Sequence, residues 1–175
     1  VSGANTSLVD PATPSQRGII MEDEAPVTMI DEIQFRWRQI RNGSGTRDAW
    51  AIDNVSLSGT GFGDDFEPDI DNTQWASLQN AEVNIDDSIF PGSNGQELLM
   101  RGTGDRIATT VATAPGVGAT LSFDLIIGNG ISNNGADNAE SGKNIWLEYS
   151  VDGQTWDVLQ EMEPDDYETW KRVNV

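Results

Sequence analysis

The feature that most constrains the fold of this chain is the alternation of apolar and polar residues in short segments separated by glycine-rich turns. Residues 119–127 carry an apolar side chain at every second position, which is the period of a β-strand with one buried face. Residues 144–152 repeat this pattern, and the dipeptide Asp152-Gly153 predicts a hairpin into a further strand. Helical periodicity is almost absent, so we predict an all-β sandwich. The other predicted strands are 34–40, 49–57, 74–84, 97–102, 106–113 and 168–175.

The charge and the missing residue types narrow the function. The chain has 29 Asp and Glu against 10 Lys and Arg, and its net charge of −19 would repel nucleic acid and an anionic membrane surface. Clustered carboxylates favour a divalent cation as partner, although the same charge also serves solubility. The absence of Cys and His excludes disulfides, a Ser-His-Asp triad and the usual zinc sites. No apolar run is long enough to insert into a membrane. We therefore predict that the chain is not an enzyme.

An ordered set of motifs extends from residue 33 to residue 175. It includes Phe35-Arg36-Trp37-Arg38-Gln39, Trp50-Ala51-Ile52-Asp53-Asn54-Val55, Asp64-Asp65-Phe66-Glu67, and residues 147–153 followed by Trp156. This set resembles the repeat unit of reelin and of its bacterial relatives, and a related pattern occurs in MAM-type adhesion domains. The resemblance implies a jelly-roll β-sandwich with a structural or adhesive role, without catalysis, in a secreted or cell-surface protein.

The order of these motifs differs from the family pattern, in which the Asp-Phe-Glu strand opens a domain and the other strands close it. We interpret residues 1–32 as a linker or extended N-terminal segment, residues 33–61 as closing strands, and residues 62–175 as the main part of the sandwich. Two strands alone are marginal in water, and a sandwich without its last strands has open edges. The early strands could complete their own chain's sandwich, as in a circular permutation. Alternatively, they could be exchanged with a neighbouring repeat or another copy, which would build a filament, or the chain could span a junction between repeats.

Asp53 is the first candidate for a metal ligand. Simple alternation places it on the same strand face as Ala51, Val55 and Leu57, and a carboxylate that faces a core is costly unless it is paired or bound to a metal. A second interpretation is that Asp53 accepts hydrogen bonds from backbone amides.

Three further carboxylates follow in the segment Asp64, Asp65 and Glu67, with Phe66 expected to face the opposite way from Asp65 and Glu67. If this segment pairs with the strand of Asp53, the carboxylates converge. The resemblance implies a structural calcium ion at this place, and a ligand set made only of oxygen favours calcium over zinc or copper. The alternative is that Asp64 and Asp65 are ordinary turn residues.

Trp146 is the best candidate for a ligand-binding aromatic residue, because it lies on the opposite strand face from Ile145, Leu147 and Tyr149. Exposed tryptophans on a sandwich face can stack against sugars, so a carbohydrate-binding module with a glycan partner is the second functional hypothesis. A filament subunit joined by strand donation is the third. Packing inside the sandwich is the competing interpretation of each tryptophan.

Overall fold

The computed structural model describes residues 32–43, 47–84, 89–93, 95–128 and 139–175. All but the last residue of the predicted linker 1–32 lies outside these ranges, as do residues 129–138 of a long polar segment. The described residues form eleven strands and one short 3-10 helix, Pro164–Asp166. The strands are β1 Gln34–Gln39, β2 Trp50–Leu57, β3 Gly63–Asp64, β4 Trp75–Gln79, β5 Ala81–Asn84, β6 Glu97–Met100, β7 Arg106–Thr110, β8 Leu121–Ile127, β9 Ile145–Ser150, β10 Asp157–Met162 and β11 Lys171–Asn174.

The strands form two antiparallel sheets that pack into a sandwich. Sheet 1 has the order β10-β9-β1-β7-β4, and sheet 2 has the order β11-β8-β2-β6-β5, with β3 paired to β2. The predicted all-β sandwich is therefore confirmed, and the arrangement is consistent with a jelly roll. Among the described residues there is no helix with the length and apolar character needed to span a bilayer.

The core lies between the sheets and is rich in aromatic residues. Trp37 packs edge-on against Phe123, with ring centroids 5.2 Å apart. Phe66 stacks on Trp75 at 5.9 Å. Burying one such side chain contributes about 1.5–3 kcal/mol, so these contacts between the sheets stabilise the sandwich.

The two early strands occupy the middle of the sheets of their own chain. β1 pairs with β9 on one side and β7 on the other, and β2 pairs with β8 and β6. Each sheet is thus completed within one chain, and no strand from a neighbour is needed to fill either centre. The domain boundary at residue 61 stays a prediction.

Residues 74–84 were predicted as one strand, and this prediction is wrong. Asn80 has a positive φ of 53°, in the left-handed region, and it separates β4 from β5. β4 then pairs with β7 in sheet 1, whereas β5 pairs with β6 in sheet 2. A single left-handed residue therefore carries the chain from one sheet to the other, which regular alternation does not reveal.

Sheet 2 is also covered on its outer face. A second apolar cluster forms there around Ala51, Leu99 and Ile126, with Phe90 and Trp170 packed over them. This cover explains why every residue of β6 is buried, because the strand contacts apolar neighbours on both faces. The same outer face carries the candidate site.

Arg106 is fully buried and holds the segment between β1 and β2. Its guanidinium donates to Gln39 Oε1 at 2.9 Å, to the carbonyl oxygen of Arg47 at 2.7 Å and to that of Gly102 at 3.1 Å. It also donates to the carbonyl oxygen of Asp48. These acceptors compensate the cost of burying the charge, as hydrogen-bonded carbonyls can.

Candidate metal site

A β-bulge in β2 determines the direction of Asp53. In the pairing of β2 with β8, Asp53 lies opposite Asp124, but Ser56 lies opposite Ser122, so β2 contains one extra residue. Asn54, in this interval, has a positive φ of 51°. An extra residue reverses the alternation of a strand, so the side chains before and after it follow different phases.

The bulge corrects the predicted face of Asp53. Val55 and Leu57 belong to the core between the sheets, whereas Ala51 belongs to the outer cluster of sheet 2. Asp53, two residues after Ala51 and before the bulge, shares the outer face with Ala51. The prediction that it shares a face with Val55 and Leu57 is therefore wrong.

Asp53 is nevertheless a buried carboxylate, with 5% of its surface exposed. Its Oδ1 accepts the backbone N–H of Asn54 at 2.6 Å. Burial raises the pKa of Asp53 from 3.8 to about 6; the negative charges of Asp124, Asp65 and Glu67 add to the rise, and the Asn54 N–H opposes it. The site therefore holds a carboxylate whose ionised form is disfavoured and whose charged neighbours are acidic.

Asp124 lies across the ladder from Asp53 and joins the site from β8. Its Oδ2 accepts the side-chain amide of Asn54 at 3.0 Å and is 3.3 Å from Nη1 of Arg172. Arg172 also donates to the carbonyl oxygen of Asn54 at 3.1 Å. The bulge residue is thus fixed by groups from β8 and β11.

Asp64 lies on the opposite side of β2 from Asp53. It pairs with the core residue Val55 and is buried. Its Oδ1 accepts the N–H of Phe66 at 2.8 Å, and its Oδ2 accepts the N–H of Asp71 at 3.0 Å and the indole N–H of Trp75 at 2.7 Å. These three donors account for Asp64 without a metal, so its main role is to fix the loop after β3. Its assignment as a ligand stays a prediction.

Asp65 and Glu67 project from that loop. Phe66 has a positive φ of 59° and is completely buried, while both acidic neighbours are exposed, as the sequence predicted. Asp65 Oδ1 accepts the N–H of Glu67 at 3.2 Å, and Glu67 Oε1 accepts the N–H of Gln96. The loop therefore presents two carboxylates on the solvent side of the site.

The site opens into an acidic cleft of about 510 Å³. Its walls include Asn54, Asp65, Glu67, Asp69 and Arg172. In the parts of the chain that the structure describes, no three acidic side chains are close enough to form a metal cage. The cleft thus offers oxygen donors from β2, β8 and the loop after β3, but not a closed coordination shell.

Trp146 lies on the outer face of sheet 1, far along the fold from this cleft, and is half-buried. The guanidinium of Arg38 lies 5.7 Å from the centre of its ring. Arg36 lies 4.0 Å from the ring centre of Trp156, and both arginines pair with the buried Glu148 at 2.6 Å. A cation of the protein itself therefore packs on Trp146, and its role in glycan binding stays a prediction.

Sequence reasoning missed Asp124 and Arg172. Asp124 occupies a polar position in the alternation of residues 119–127, which is a signal for an outward-facing side chain but not for a site. Only the pairing of β8 with β2 and β11 places both residues beside Asp53. That pairing joins segments more than 45 residues apart, so local patterns do not contain it.

A comparison with protein families finds a match to the model described as Reelin subrepeat B over residues 85–175. The match begins between β5 and β6 and continues through β11 to Val175. No curated protein and no solved structure matches the chain. The family is one of structural, typically extracellular modules, and its match spans more than half of the 175 residues. The chain therefore belongs to the reelin subrepeat B family.

Proposed function

We propose that this chain is a calcium-stabilised structural module of an extracellular protein, and that Asp53, Asp124, Asp65 and Glu67 hold the ion. The observation that carries the proposal is the cross-strand pair of Asp53 and Asp124, of which Asp53 is almost entirely buried. Like charges directly opposite each other on neighbouring strands destabilise a sheet, and burial adds to that cost. A bound cation would remove both penalties.

The donor set fits calcium better than other common metals. The described groups at the cleft are carboxylates, and no His or Cys occurs anywhere in the sequence. Calcium accepts six to eight oxygens in flexible geometry, including water, whereas magnesium requires a near-ideal octahedron. Asp65 and Glu67 are exposed, so they can turn toward an ion with little loss of packing. Calcium would supply positive charge that joins the sheet to the loop after β3.

Such an ion would stabilise the fold in proportion to its occupancy. Any ligand that binds only the folded state adds about 2.7 kcal/mol when its concentration is 100 times the dissociation constant. Because the donors belong to β2, β8 and the loop after β3, we expect the gain to protect sheet 2 and this loop together. The role is structural, and the module's partners would be neighbouring repeats or other copies.

Calorimetric titration of the metal-free full chain with calcium tests this proposal. We expect one binding event that is lost in Asp53→Asn and in Asp124→Asn, and that is unchanged in Asp157→Asn, which removes the same charge from an exposed position on β10 in the other sheet. Absence of binding by the native chain, or binding that survives both site substitutions, would contradict the proposal.

The two alternative functions receive less support. A glycan platform at Trp146 would compete with Arg38 for that aromatic ring. Filament growth by strand donation would require β1 and β2 to leave the centres of their own sheets. Retention on a glycan array that is lost in Trp146→Ala would revive the first alternative, and concentration-dependent assembly of the purified chain would revive the second.

A further inference from the structure

Arg172 places a positive charge directly at the proposed calcium site. It belongs to β11, an edge strand that pairs with β8, and its register partner is Asp124. Nη1 of Arg172 is 3.3 Å from Asp124 Oδ2 and donates to the Asn54 carbonyl oxygen at 3.1 Å. The guanidinium thus contacts both an acidic ligand candidate and the bulge next to Asp53.

The two cations would depend on the same acceptor. Arg172 lines the same cleft as Asp65 and Glu67. The Asp124 oxygen that it contacts also accepts the Asn54 side-chain amide at 3.0 Å, so that oxygen already has two protein partners. A calcium ion that recruits Asp124 must therefore share this carboxylate with Arg172 or displace the arginine.

We infer that Arg172 is an internal counter-cation that competes with calcium for Asp124 and so lowers the calcium affinity of the site. This inference rests on the proposed calcium-binding function. In the metal-free protein Arg172 would reduce repulsion between Asp53 and Asp124. In the calcium-bound protein its charge would oppose the ion. Arg172 is thus a positioning residue with opposite effects on the two states.

The expected effect is modest because the pair is partly solvated. The side chains of Arg172 and Asp124 are 43% and 28% exposed. Charges at such positions interact weakly through water, so removal of the guanidinium should change the calcium dissociation constant by about three- to tenfold. Salt should reduce the difference, since the charges are open to screening.

The experiment compares calcium titrations of three full-length variants with the native chain, together with melting curves in chelator. Arg172→Gln should bind calcium about three- to tenfold more tightly than the native chain. Its melting temperature should fall in chelator, and its gain on calcium addition should exceed the native gain. Arg172→Lys, which keeps the charge, should resemble the native chain. Lys171→Gln is the matched control, because its side chain on the same strand contacts Asp166 and Tyr167 instead.

Several outcomes would overturn the inference. Unchanged or weaker calcium binding by Arg172→Gln would do so, as would an equal loss of melting temperature with and without calcium, which is the sign of a purely structural residue. If Lys171→Gln strengthened binding as much as Arg172→Gln, the effect would be general charge rather than contact with Asp124. Failure of the native chain to bind calcium would instead reject the proposed function itself.

Discussion

Asp53→Asn should make the metal-free protein more stable at neutral pH, although it removes a residue from the centre of the proposed site. The substitution keeps the shape of the side chain and an oxygen that can accept the Asn54 N–H, whose present length is 2.6 Å. It removes a charge that is buried and lies opposite Asp124. In excess calcium the order should reverse, because the variant loses a ligand.

The size of the effect follows from the pKa of Asp53, which burial and acidic neighbours raise from 3.8 to about 6. Since one pH unit corresponds to 1.36 kcal/mol, a rise of this size would cost the ionised folded state about 3 kcal/mol at most. Relaxation around the charge lowers this cost, and we expect a gain of about 1–3 kcal/mol for the variant at pH 7.

The sign of the pH dependence follows from the same shift. The folded-state pKa is above the unfolded value, so the contribution of Asp53 to native stability is fully present below pH 3.8 and is lost as the pH rises through about 6. The advantage of Asp53→Asn should therefore be large at pH 7 and should disappear near pH 4, where the native carboxyl is protonated in both states.

Urea unfolding in chelator at pH 4 and pH 7 measures this difference. Asp157→Asn serves as the control for a lost negative charge, because Asp157 is exposed on β10. A variant that is less stable than the native chain at pH 7 in chelator would refute the reasoning. A stability difference that is equal at both pH values would refute it as well.

Three further substitutions test contacts that should not depend on calcium. Asp64→Asn places an amide N–H₂ against the N–H donors that now reach this carboxylate, including the Trp75 indole, and should cost about 2–3 kcal/mol in urea unfolding, equally with and without calcium. Glu148→Gln leaves the two arginines of β1 without their shared carboxylate and should cost about 1–3 kcal/mol, with a smaller loss in high salt because both arginines are partly exposed. Arg106→Lys cannot reach all of the carbonyl groups between β1 and β2 and should lower stability by about 2–4 kcal/mol, and hydrogen exchange should increase first in residues 40–49.

The sequence predicted the fold class and most strands because alternation is a local signal. The predicted segment 119–127 contains the observed β8, Leu121–Ile127, and the inward direction of Phe66 between Asp65 and Glu67 is also confirmed. Such features depend on residues that are adjacent along the chain, which a single sequence displays directly.

The sequence did not predict features that depend on a single backbone angle or on the order of strands. The left-handed Asn54 accompanies the bulge that turns Asp53 to the outer face, and the left-handed Asn80 divides a predicted strand between two sheets. Asn tolerates this conformation better than most residues but does not require it, so its presence is a weak signal. Asp124 entered the site only through the pairing of β8 with β2.

Thermal melting of the full chain, after verified removal of bound metal, with either chelator or millimolar calcium present, tests the central claim most directly. The account predicts a higher melting temperature with calcium, a smaller gain at pH 5 where protons occupy Asp53, and no gain in Asp53→Asn. An identical melting temperature for the native chain in chelator and in calcium would contradict it.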